Sequence, residues 1–130
     1  LPLNALKKNI GNHAQILTYD FDFTIARGVI SKSQFVLTMK HHPIIFAYGE
    51  SVPVISICLD DYYYRKNKGA RALVGHQEYC IDNTVLFSDQ SYAILKRFIH
   101  QQPNLKKQIQ QAIQKYREKE QQILPTHLVS

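Results

Sequence analysis

The sequence predicts an α/β fold, a Rossmann-like parallel sheet with flanking helices. Two compact apolar runs, residues 34–39 and 53–59, carry hydrophobic side chains at successive positions, as strands do when helices cover both faces of a parallel sheet. A helix-compatible stretch opened by Pro43 lies between them, and further capped helical patterns follow, so strands and helices alternate along the chain. Right-handed crossovers then make the sheet parallel.

Taken in order, residues 1–10 are helix-compatible (Leu3, Leu6, Ile10) and stop at Gly11-Asn12, a pair suited to a helix C-cap. Residues 15–21 are β-formers and read as a strand that ends near Asp20 and Asp22. Residues 24–31 follow as a short crossover helix, which Gly28 weakens. The run 34–39, apolar on both faces, reads as a central strand. Pro43 is placed at the first helical position, where its missing N–H costs nothing, and Ile44, Ile45, Phe46, Ala47 and Tyr48 continue the helix to Gly49. The next buried strand, 53–59, has Pro53 at its first residue.

Asp60 and Asp61 offer an N-cap for a helical or irregular segment through Tyr62, Tyr63, Tyr64, Lys66 and Arg71, closing near Gly75. Residues 78–81 read as a short strand. Ser88 and Asp89 cap a helix over 90–102, and Pro103 is expected to break it. A last helix over 104–123 carries Leu105, Ile109, Ala112, Ile113 and Tyr116 as one apolar stripe on a Gln- and Lys-rich rod. The organisation expected is one α/β domain over residues 1–124 and a tail over 125–130.

The 130 residues, 45% hydrophobic, suffice for one core of ordinary size. Sixteen Lys and Arg against ten Asp and Glu give +6, which favours anionic partners such as phosphates, carboxylates, nucleic acid or acidic glycans. Much of the excess lies in the last third, where a solvated helix face accounts for it. No nucleic-acid-binding motif is present, so nucleic acid is not the expected partner. Cys58 and Cys80 read as small buried side chains in a chain without a disulfide framework, which points to a reducing, cytoplasmic setting. No apolar run is long enough to span a bilayer, and no leader opens the chain. The chain begins without methionine and its first elements read like the middle of a fold, so a piece of a longer protein is expected. No metal is expected: Asp20, Asp22, Asp60 and Asp61 would converge only by tertiary accident.

In parallel α/β sheets ligands bind outside the carboxyl ends of the strands, which directs attention to residues 20–22, 40–43 and 59–64. The stretch Thr38-Met39-Lys40-His41-His42-Pro43 leaves a strand and opens a helix, where backbone N–H groups lack intrahelical partners and attract anions. Lys40, His41 and His42 add side-chain donors and positive charge there. Adjacent histidines after a strand are equally one exposed and one packed residue. Tyr64 and Lys66 either line the same cleft, meeting a sugar or a phosphate, or belong to a capped helix whose aromatics pack on the sheet.

From Gln34 to Ile57 the chain reads Gln-Phe-Val-Leu-Thr-Met-Lys-His-His-Pro-Ile-Ile-Phe-Ala-Tyr-Gly-Glu-Ser-Val-Pro-Val-Ile-Ser-Ile. This block resembles the C-terminal signature of polysaccharide pyruvyl transferases: a strand, Arg-x-His, an apolar helix with Phe-Ala, then a turn to Pro-Val-Ile. The likeness continues more weakly through Lys66, Gly69, Ala70 and the segment Glu78-Tyr79-Cys80-Ile81-Asp82, and covers somewhat more than half of the chain. It implies the C-terminal half of a GT-B-like, two-domain transferase of exopolysaccharide biosynthesis. Such an enzyme moves the pyruvyl group of phosphoenolpyruvate onto a sugar or glycan to form a ketal, with no cofactor beyond that donor. The acceptor-binding half would lie in a missing N-terminal domain, so this piece alone would bind without turning over, and the last helix would pack on that domain.

Position by position, Lys40 stands at the family's arginine, His41 at the variable place and His42 at the histidine. The resemblance makes His42 the catalytic residue, as acid to the enol carbon or as hydrogen-bonding anchor, with Lys40, His41, Pro43, Tyr64 and Lys66 around the donor. Lysine supplies a point charge in place of the planar fork of arginine. Two other readings stand beside it: a nucleotide-sugar-dependent glycosyltransferase domain, whose diphosphate would sit at the same helix terminus, and a non-catalytic module for anions or nucleic acid.

Overall fold

The computed structural model describes residues 2–17 and 22–123. Helix α1 (Pro2–Ile10) ends at Gly11, whose φ of +75° is open to glycine, and a 3-10 turn over Gly11–His13 follows. Of the strand expected over 15–21, residues 15–17 carry no strand and the rest, with Asp20, lies outside the described residues. The tail over 125–130 lies outside them as well. Helix α2 (Phe23–Ser31) starts where Asp22 accepts the Thr24 N–H at 2.8 Å, a side-chain cap on an otherwise unpartnered amide.

From there the chain runs β1 (Val36–Thr38), α3 (His41–Gly49), β2 (Val54–Cys58), α4 (Asp61–Ala72), β3 (Cys80–Asp82) and α5 (Asp89–Ile123). The three strands are parallel in the order β1-β2-β3, with Val36 opposite Val54 and Ile57 opposite Ile81. The alternation read from the sequence is therefore a parallel sheet with flanking helices. Residue Val54 packs with Ile44, Ala47, Tyr48 and Ala70, so α3 and α4 share one face of the sheet. Ile55 and Ile81 point the other way, against Phe98 and Leu105 of α5. Farther along, Ile109 joins the first cluster, and α5 thereby binds both layers together.

Four local expectations are corrected. The run 34–39 narrows to three residues of strand at the edge of the described sheet, and Leu37 is 58% exposed. Among the described strands the central one is β2, with four of its five residues buried, because it alone of these has a hydrogen-bonded neighbour on each side. Pro43 is the third residue of α3, not the first; it fits because amides throughout the first turn lack an intrahelical acceptor. The strand expected over 78–81 splits into a 3-10 turn at Gln77–Tyr79 and the strand Cys80–Asp82. Finally, Pro103 does not break the helix: α5 is continuous over 35 residues with Pro103 inside it. The lost hydrogen bond and ring clash cost about 3 kcal/mol. Phe98 on one side and Leu105 and Ile109 on the other, each 2% exposed or less, offset that at about 1.5–3 kcal/mol per side chain.

Candidate functional site

The carboxyl end of β1 turns into α3 through Met39 and Lys40. Thr38 makes the turn, its hydroxyl accepting the Lys40 N–H at 3.0 Å and donating to the Lys40 carbonyl at 3.3 Å. Lys40 is the extended N-cap of α3 and gives the helix no side-chain cap. The amides of His41 and His42 stand in the uncapped first turn and face outward, while Pro43 has none to offer.

Side chains from α4 meet this turn. The Lys40 ammonium lies over the Tyr63 ring, 5.2 Å from its centroid, which aims the charge at α4. His41 is partly buried with an unpartnered Nδ1, and its pKa is lowered by burial first, then by the Lys66 ammonium and by His42. Burial and the two neighbouring groups thus favour the neutral imidazole of His41. His42 is exposed and leans toward Phe46, one helical turn on, with ring centroids 6.5 Å apart. Lys66 sits over Tyr62 at 5.6 Å and, with Asp61, Tyr62 and Arg65, lines an open cavity of 540 Å³. Tyr64 does not line it; the Tyr64 ring lies under the Lys68 ammonium at 5.4 Å. The fold thus gathers Lys40, His41, His42, Pro43 and Lys66 around the ends of β1 and β2 and turns Tyr64 to a different contact.

Of two further residues at the turn, Tyr63 falls within the stretch 59–64 that the sequence points to, and Asn67 had no signal in the sequence. Tyr63 is the platform for Lys40. Asn67, 0% exposed, reaches under the turn: its Nδ2 donates to the Met39 carbonyl at 3.4 Å and to Cys58 Sγ at 3.4 Å, and its Oδ1 has no partner. An Asn-Lys-Gly run reads as helix surface, and only the packing of α4 on β2 shows Asn67 to be inside. Among the described residues, Asn67 Oδ1 and His41 Nδ1 are each buried without a hydrogen-bond partner, although buried polar atoms are ordinarily bonded.

Among the described residues no group of three or more His, Cys, Asp or Glu is placed to hold a metal, and no helix is long and apolar enough to cross a membrane. No family model, no curated protein and no solved structure matches the chain.

Proposed function

We propose that the chain is the donor-binding part of a polysaccharide pyruvyl transferase with a GT-B-like two-domain architecture. The observation that carries the proposal is the convergence, at the carboxyl end of β1, of uncapped helix amides with Lys40, His41, His42 and the neighbouring Lys66. Phosphoenolpyruvate bears a phosphate and a carboxylate on one small carbon frame, and two separated cations beside free amides match that pair of anions.

In this reading Lys40, steadied by Tyr63, and Lys66 hold the two anionic groups, and the neutral His41 donates a hydrogen bond to the donor. His42 either anchors the donor or protonates its methylene carbon. Protonation there makes the adjoining carbon electrophilic; one sugar hydroxyl adds to it, phosphate leaves with the C–O bond electrons, and a second hydroxyl closes the ketal. The hydroxyl protons leave with phosphate and solvent. The acceptor sugar would be bound by a preceding domain of the longer protein.

Titration of the chain with phosphoenolpyruvate, UDP and inorganic phosphate, followed by the amide and imidazole NMR signals of Lys40, His41 and His42, tests this. Shifts selective for phosphoenolpyruvate are expected. Selectivity for UDP would transfer the site to a nucleotide-sugar donor, for which the exposed Tyr62 is a stacking surface; silence toward all three would remove the anion site altogether.

A further inference from the structure

Beneath the Lys40 turn lie the two cysteines of the chain, Cys58 at the end of β2 and Cys80 at the start of β3. In the parallel register Cys80 stands opposite Ser56 and Cys58 opposite Asp82, so the two thiols are diagonal neighbours on the face covered by α4. Their sulfurs are 3.1 Å apart, with Cys58 1% and Cys80 7% exposed. Both side chains also reach the first turns of α4, where the carbonyls of Tyr63 and Tyr64 lie 3.7 and 4.0 Å from Cys58 Sγ and Cys80 Sγ. A disulfide needs about 2.05 Å between sulfurs, so closure asks for a movement of about 1 Å. Asn67 ties this pair to the candidate site, since the same Nδ2 that donates to Cys58 Sγ donates to the Met39 carbonyl.

We propose that Cys58 and Cys80 are a dithiol that hydrogen peroxide converts to an intramolecular disulfide, and that this cross-link resets the Met39–Lys40 turn through Asn67. Cys80, the less buried of the two residues, is oxidised by peroxide to the sulfenic acid with release of water. The sulfur of Cys58 attacks it, its proton leaves with the hydroxyl as a second water, and the S–S bond forms; peroxide takes up the two electrons the thiols lose. Moving Cys58 Sγ toward Cys80 draws it from Asn67, which then re-aims at Met39. Burial pushes the Cys58 thiol up to about 11, so closure is slow at neutral pH and quickens with alkali. The proposal is independent of what the Lys40 turn binds.

The test uses the full chain carrying Met39→Leu, which removes the one methionine so that sulfoxide formation beside Lys40 does not register. After exposure to hydrogen peroxide, the free thiols, the intact mass and the amide signals of Lys40 and His41 are measured. Expected are loss of both thiols, loss of two hydrogen masses in a monomer, a Cys58–Cys80 linked peptide, shifted Lys40 and His41 amides, and reversal by dithiothreitol. Retention of both thiols, uptake of oxygen without hydrogen loss, or cross-links only between chains would overturn the dithiol. A linked peptide with unmoved amides would overturn the switch. Cys80→Ala should keep those amides in place under peroxide, and movement in that variant would also count against the proposal.

Discussion

Arg71 is 0% exposed and, among the described residues, has no carboxylate partner. Its guanidinium donates to the Val54 carbonyl at 2.6 Å, to Ser56 Oγ at 3.1 Å and to Tyr48 Oη at 3.2 Å, leaving Nη2 without a partner. Burial lowers the Arg71 pKa and raises that of Tyr48 to about 12, so neutral dipoles rather than an opposite charge hold the cation. The side chain joins α4 to β2 and α3. Arg71→Ala should cost about 2–4 kcal/mol by stranding three acceptors over a cavity, and Arg71→Met should cost less because it refills the volume; urea midpoints compare the two. On the proposed donor-binding reading, Lys40→Ala should weaken phosphoenolpyruvate binding about tenfold, the loss of one charge-assisted contact, while Lys40→Arg should bind at least as tightly through its planar fork. Calorimetric titration gives both values, and equal affinity in all three proteins would remove Lys40 from the site.

At the scale of elements, α5 carries a helix-breaking residue inside a helix that packing keeps whole. Pro103→Ala should restore one backbone hydrogen bond and raise stability by about 1–3 kcal/mol, read as an upward shift in the melting temperature. A lower melting temperature would mean that the proline ring, not the flanking side chains, secures this part of the helix. The turn after α3 offers a second case, because Ser51 follows the C-cap residue Glu50 with φ of 58°, in the left-handed region that favours glycine. Its amide donates to the Tyr48 carbonyl at 3.0 Å, a bond that a substitution leaves intact. Ser51→Gly should stabilise the chain by about 1 kcal/mol in the same assay.

At the scale of the whole molecule, stability should depend on pH through the histidines. His76 is 3% exposed and hydrogen-bonded to Gln108 of α5 at 2.8 Å, and burial lowers its pKa as it lowers that of His41. The unfolded chain then binds more protons than the folded one as pH falls through about 6.5, so stability is full above that value and declines below it. Urea midpoints at about pH 7.5 and about pH 5.5 should differ in that direction, and His76→Gln should shrink the difference. The sheet itself is unevenly covered: Ile55 is 1% exposed, whereas Leu37, its neighbour in register, is 58% exposed.

The sequence by itself determined the alternation of strands and helices, the caps at Asp60 and Ser88, and the place of the Lys40 turn at the end of a strand. These are local matters, settled by periodicity, by proline and glycine, and by side chains that bond amides two or three residues away. Only the tertiary structure decided which strand is central, that α5 runs through Pro103, that Asn67 and Arg71 lie inside, and that two cysteines 22 residues apart touch. Each of these depends on what a residue packs against from a distant part of the chain: burial can outweigh a broken helical bond, and a polar side chain is internal only where another element supplies its partners.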